Sequence, residues 1–156
     1  MINRPEKGDK APNVSLDATG DKTVNLGKPA DKGHVVYFYP KDSTPGCTTE
    51  SIAFTEMKDK FAALGFAIIG VSKDSMKSHD NFRTKKELTI DLASDPEGLA
   101  CEAFGVWVEK NMYGKKYMGI ERSTFIVLAN GTLGEVWRKV RVKGHVEAVL
   151  AAVKAT

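Results

Sequence analysis

Two cysteines occur among the 156 residues of this chain, and one of them stands where chemistry is expected. Cys47 follows an apolar, aromatic run, "HVVYFYP", and a polar turn, "KDSTPG", and it opens a stretch with helical spacing. A buried-strand pattern, a proline that ends it and then a helix put this thiol in the first helical turn after a central strand. In open α/β sheets that is where ligands bind. Backbone N–H groups at a helix start lack intrahelical acceptors and carry partial positive charge. They favour the thiolate, the nucleophilic form of cysteine. Pro45 and Gly46 suit a tight approach into the helix. With Ser43, Thr44, Thr48 and Thr49 around it, Cys47 is expected to be an exposed, helix-capped nucleophile rather than core filler.

The elements that must position it follow from period and punctuation. "VSLDAT" and "TVNLG" read as a short hairpin around "GDK", and "HVVYFYP" as a buried central strand. "TTESIAFTEMKDKFAALG" places Ile52, Phe54, Met57, Phe61 and Leu64 at helical spacing, with Gly65 closing the helix. "FAIIGVSK" is a second buried strand, so strand, helix and strand form a parallel unit. "SMKSHDNFRTKKEL" reads as an exposed helix, "IDLASD" as a short strand, and "PEGLACEAFGVW" as a helix with Pro96 near its first turn. "NMYGKKYMG" reads as a flexible basic loop. An Asn-Gly pair marks a hairpin within "STFIVLANGTLGEVWRK", and "GHVEAVLAAVKAT" ends the chain as an amphipathic helix. The alternation argues for an α/β fold with a mixed central sheet.

Composition excludes several function classes. Apolar residues make up 42% and charged residues 28%, with a net charge of +3, the profile of one globular domain. Lysines are scattered rather than gathered on one face, so nucleic acid is not an expected partner. The polar N-terminal stretch lacks the apolar core of a signal peptide, and nothing approaches a membrane span. A cytoplasmic location, with thiols reduced at rest, follows as the expectation. His34, His79 and His145 are too dispersed for a zinc site, and no glycine-rich phosphate loop follows a strand. No metal, flavin or haem is called for.

"FYPKDSTPGCTTE" resembles the active-site segment of peroxiredoxins, in which proline, three residues, threonine, two residues and cysteine recur. Pro40, Thr44 and Cys47 stand at that spacing. The wording is similar to the peroxiredoxin Q branch, the bacterioferritin comigratory protein type. The likeness runs on through "DPEGLACEAFGVW", "MYGKKYMGIERSTFIV" and the Asn-Gly hairpin. In "GIERSTFIV", Arg122 stands where the family has its active-site arginine. The resemblance implies a thioredoxin-like fold over a single domain, residues 1–156, and reduction of hydrogen peroxide and alkyl hydroperoxides. In that reading Cys47 attacks one peroxide oxygen and becomes a sulfenic acid. Arg122 holds the thiolate and the peroxide oxygens. The Thr44 hydroxyl and the Cys47 N–H donate where charge develops, and Pro40 packs over the sulfur. Glu50, one helical turn along, either orients Arg122 through an ion pair or is a solvated acid of the first turn.

Many members of that branch carry a resolving cysteine five residues after the first, and here that position is Ile52. Cys101 is the other thiol, set among Leu99, Ala103, Phe104 and Val106. It reads as a small core residue, or as a distant resolving cysteine that reaches Cys47 after unfolding of the first helix. Without movement a disulfide needs Cα atoms within about 7 Å. The leading expectation is turnover through one cysteine, with the sulfenic acid reduced by an external thiol such as thioredoxin, glutaredoxin or glutathione. Lacking a long C-terminal extension, the chain is expected to be a monomer. The competing reading keeps the fold and makes the chain a non-catalytic interaction or chaperone module, which would need neither Arg122 nor Thr44.

Overall fold

In the computed structural model, residues 4–156 are described, and the first three residues of the polar N-terminal stretch lie outside them. The first hairpin forms as β1 (Ser15–Ala18) and β2 (Lys22–Asn25), with Leu16 opposite Val24. β3 (Gly33–Phe38) is buried at every residue. It leads through the polar turn into α1 (Pro45–Ala63) and on to β4 (Phe66–Ser72), which pairs parallel with β3 in the register Tyr37 to Gly70. α2 (Met76–Lys86) and β5 (Asp91–Ser94) follow, with β5 parallel to β4. Then come α3 (Leu99–Ala103), β6 (Trp107–Met112), β7 (Lys115–Ile120), β8 (Ser123–Leu128), β9 (Leu133–Trp137) and α4 (His145–Lys154).

Seven strands form one mixed sheet in the order β2-β1-β5-β4-β3-β8-β9, and β6 and β7 form a separate antiparallel ribbon. The expected mixed sheet is therefore present, with β3, β4 and β5 as its parallel centre. Successive side chains of a strand point to opposite faces, and β3 divides the core accordingly. Val35 and Tyr37 pack with Phe54, Phe61, Phe82 and Val149 on the face covered by α1, α2 and α4. Val36 and Phe38 pack with Cys101, Phe104, Val106 and Phe125 on the other face. Each fully buried aromatic or aliphatic side chain contributes about 1.5–3 kcal/mol, which fixes the sheet as the rigid frame of the molecule.

Three local readings change. "NMYGKKYMG" is the tip of the β6–β7 hairpin, turning on Tyr113 and Gly114, with φ of 53° and 79°. Its strands are mostly exposed on both faces, so no apolar alternation betrays them. The helix expected from Pro96 onward is confined to Leu99–Ala103. Gly98, at φ 76°, turns the chain just before it, and the Asp95 carboxylate accepts from the N–H groups of Ala100 and Cys101. α2 is not exposed all round, because His79 and Phe82 are buried in it.

Candidate active site

α1 begins at the carboxyl end of β3, and its inward face is unusual. Cys47, Glu50 and Ser51 are buried ahead of Phe54 and Phe61. That spacing is the one a helix uses for its apolar stripe, yet its first turns carry a thiol, a carboxylate and a hydroxyl. Thr44 is the N-cap residue, in extended conformation, and Pro45 takes the first helical position. No side chain caps the helix, so the N–H groups of Gly46 and Cys47 have no intrahelical acceptor. The dipole and these donors converge where Cys47 sits.

Arg122, between β7 and β8, completes the constellation. Its Nη2 donates to the Cys47 Sγ at 3.3 Å and its Nη1 to the Glu50 Oε1 at 2.7 Å. Glu50 is therefore the ion-pair partner of Arg122 and not a solvated acid. Its side chain is wholly buried, and Oε2 has no hydrogen-bond partner. Burial pushes the Glu50 carboxyl from 4.5 up to about 7, against the pull of Arg122. Burial alone would make Arg122 less basic, but Glu50 and Cys47 outweigh it and the guanidinium is held cationic. One cation thus serves two acidic groups.

Gly46 makes this contact feasible. A Cβ there would lie 3.2 Å from the Arg122 Nη2, the nitrogen that reaches the sulfur. Gly70 has a similar part in the second layer. It faces Tyr37 across the β3–β4 pair, and a Cβ would stand 2.7 Å from that ring. Tyr37 stacks on Phe54 at 4.6 Å and its hydroxyl shares a 2.8 Å hydrogen bond with Ser51. The sulfur's surroundings are thus built on the sheet.

The other site candidates are placed as follows. Cys47 is buried, with 1% of its surface exposed, in the cluster with Tyr37, Tyr39 and Phe54. The expectation of an exposed thiol is corrected: the turn is polar, but the first helical turn packs inward. Thr44 Oγ1 donates to the Lys41 carbonyl at 2.8 Å, so that proton is engaged within the turn. β3 stops at Phe38, two residues short of the end expected at Pro40, and Pro40 is itself exposed. Cys101 is fully buried in the cluster on the opposite face of the sheet. Burial, then the charge of Asp95, raises its thiol well above the ordinary range.

Sequence reasoning missed Lys110 of β6. Burial makes its ammonium less basic, followed by the charge of Arg122, while Cys47 and Glu121 act the other way. The hairpin thereby brings a second cation into the field of the site. The histidines bind no common centre. His34 meets the Leu26 carbonyl, His79 meets Asp42, and His145 meets Thr124. Among the described residues no group of three or more His, Cys, Asp or Glu side chains is placed to hold a metal.

Peroxide chemistry at a thiol needs a thiolate held beside a fixed cation, and the Cys47–Arg122 contact at the end of β3 meets that need, as in a thiol-dependent peroxidase. Residues 7–136 match the AhpC/TSA family, and the chain belongs to it. It is 50% identical to Peroxiredoxin Bcp of Xanthomonas campestris pv. campestris over 142 residues, which covers 91% of this chain and 89% of that protein. Against Peroxiredoxin Bcp of Bacillus subtilis it is 48% identical over 149 residues, with 96% and 95% covered. Among solved structures, Xanthomonas campestris Peroxiredoxin Q superposes with a TM-score of 0.88 at 45% identity, covering 96% of this chain and 97% of that one. The bacterioferritin comigratory protein of Xanthomonas campestris, studied for its alkyl peroxide reduction activity, gives 0.87 at 44% identity, with 96% and 98% covered.

Proposed function

We propose that Cys47 is the peroxidatic residue of a thiol-dependent peroxidase acting on hydrogen peroxide and alkyl hydroperoxides. The observation that carries this is the 3.3 Å contact between the Arg122 Nη2 and the Cys47 Sγ at an uncapped helix start. The thiolate attacks the nearer peroxide oxygen along the O–O axis. An S–O bond forms, the O–O bond breaks, and the departing alkoxide or hydroxide takes up a proton to leave as alcohol or water. Arg122 and the N–H groups of Gly46 and Cys47 face the charge that develops on the oxygens. Thr44, donating to Lys41, keeps its oxygen free to accept from the peroxide O–H and so to orient it. Glu50 holds the guanidinium fork in place.

Regeneration is assigned to an external thiol. It attacks the sulfenic sulfur, water leaves, and a second thiol then reduces the mixed disulfide. Ile52 and the far-side position of Cys101 support this route over an internal disulfide. The chain is proposed to work as one domain and as a monomer. One equivalent of peroxide, followed by thiol counting and mass spectrometry, tests the scheme. Wild type is expected to keep the Cys101 thiol free and to carry one oxygen on Cys47, and Cys47→Ser to leave peroxide unconsumed. Equal peroxide consumption in the two proteins would sink the assignment, and a Cys47–Cys101 disulfide would overturn the external route.

A further inference from the structure

The turn that delivers Cys47 is anchored by one side chain. Pro40, Lys41 and Ser43 are exposed and Thr44 is half-buried, whereas Asp42 is buried. Its Oδ1 accepts from the Tyr39 hydroxyl at 2.5 Å, and its Oδ2 accepts from Ser78 Oγ at 2.8 Å and His79 Nδ1 at 2.7 Å. Its own N–H donates to the Asp74 Oδ2 at 2.8 Å. The turn is thereby tied to the ends of β3 and β4 and to the first turns of α2. Ser43 adds strain, since it is a non-glycine residue at φ 65° and persists only where its surroundings hold it.

His79 is wholly buried, and its second ring nitrogen, Nε2, faces the Ala93 carbonyl at 2.9 Å. A carbonyl oxygen can only accept, and so can an ionised carboxylate. Burial would favour the neutral acid at Asp42, but the bonds from His79, Tyr39 and Ser78 overcome it and hold that carboxyl below its ordinary range. The His79 ring is thus held between the Cys47 turn and β5, with one nitrogen on Asp42 and the other on the Ala93 carbonyl.

A peroxide and an external thiol make different demands on this turn. A peroxide is small and needs donors fixed around the sulfur. A reducing thiol must bring its own sulfur into line with the S–O bond of a residue that is 1% exposed. That approach requires the turn to open, and opening must part Asp42 from His79. We propose that the His79 side chain is the latch of the peroxidatic turn: its 2.7 Å hydrogen bond with Asp42 keeps Cys47 in the peroxide-reactive position, and its release admits the external thiol. This rests on the peroxidase reading and names His79 and Asp42 as positioning residues that set how the cycle divides between its two halves.

The two half-reactions are measured separately by stopped flow, on wild type, His79→Gln and the milder Ser78→Ala, which removes one bond to Asp42. Glutamine cannot reach both Asp42 and the Ala93 carbonyl as the two opposed ring nitrogens do. The reaction of reduced protein with hydrogen peroxide is expected to slow by about tenfold or more in His79→Gln, as a displaced constellation does. The reaction of pre-formed sulfenic acid with a small thiol such as dithiothreitol is expected to speed up severalfold. Ser78→Ala is expected to shift both in the same senses by less. A purely structural role would slow both halves, and that outcome would overturn the latch. A wild type inert to peroxide would instead sink the peroxidase reading and the latch together.

Discussion

Replacing Glu50 with glutamine isolates the electrostatics of the site in one curve. Glu50 is wholly buried, and its carboxyl is raised from 4.5 to about 7, by burial first, with Arg122 only partly offsetting it. A carboxyl whose value is raised in the fold binds its proton more tightly there than in the unfolded chain. Stability therefore falls as pH climbs from 4.5 through 7, and it levels off above that. At 1.36 kcal/mol per pH unit the rise is worth about 3 kcal/mol. Glutamine keeps the shape and an acceptor for Arg122 but does not titrate. Urea unfolding of reduced wild type and Glu50→Gln, at fixed ionic strength from pH 4.5 to 8, gives the difference directly, because every other group titrates in both. The variant is expected to gain about 3 kcal/mol relative to wild type between pH 4.5 and 7.5, with unchanged slopes in urea. Repeating the pair in a Cys47→Ser background removes the sulfur's charge from the comparison. A difference that stays constant across the window would refute the claim that burial governs Glu50.

The remaining predictions concern the same frame. Arg122→Lys replaces a fixed fork with a point charge that cannot hold Glu50 and Cys47 together, and it is expected to lower the peroxide rate by about 10²–10³-fold in stopped flow. Gly46→Ala is expected to slow the same step with little change in Tm, because the new Cβ presses at 3.2 Å on the movable end of Arg122. Cys101→Ser is expected to leave peroxidase turnover with dithiothreitol unchanged while lowering Tm, since its sulfur packs with Phe104 and Val106. Burial, then the charge of Arg122, pushes His145 from 6.5 down to about 4. Folding therefore loses stability as pH falls from 6.5 towards 4, and His145→Gln is expected to remove that acid-side loss in the same urea titration.

The sequence was most legible where one physical signal governs a segment. β3 and β4 are continuous apolar runs because both their faces are covered, and the Asn130–Gly131 turn announces its hairpin. Cys47 and Arg122 were legible as a pair only through resemblance, since 75 residues separate them and no local pattern relates them. The β6–β7 hairpin was hidden for the opposite reason. With both faces open to solvent it has no apolar alternation, and the Tyr113–Gly114 turn between two six-residue strands was its one local sign. Asp42 and His79 were invisible as partners, because an acid in a polar turn and a histidine in a polar helix each have an ordinary surface reading. The depth of Cys47 was misjudged on the same grounds. Polar neighbours in sequence suggested exposure, whereas the helical period turns Thr48 and Thr49 away and carries the sulfur to the sheet.

That inward turn also bears on the proposed regeneration. Tyr37 and Phe38 are consecutive on β3 and point to opposite faces, and the two cysteines lie with one each, Cys47 with Tyr37 and Cys101 with Phe38. A disulfide between them would need Cα atoms within about 7 Å, so two residues packed on opposite faces of the sheet would have to be brought together. Cys101 is further held in place, because Asp95 accepts from its N–H and from that of Ala100. The same burial, with Asp95 beside it, keeps its thiol protonated and a poor nucleophile. At the position where many members of the resembling branch carry a second thiol, Ile52 instead packs half-buried against the cluster that holds Cys47. The proposed route therefore brings the reductant from outside, to a sulfur that is 1% exposed. On the proposed cycle, a turn closed for the first step and open for the second would have the balance between them set at the buried pair of Asp42 and His79.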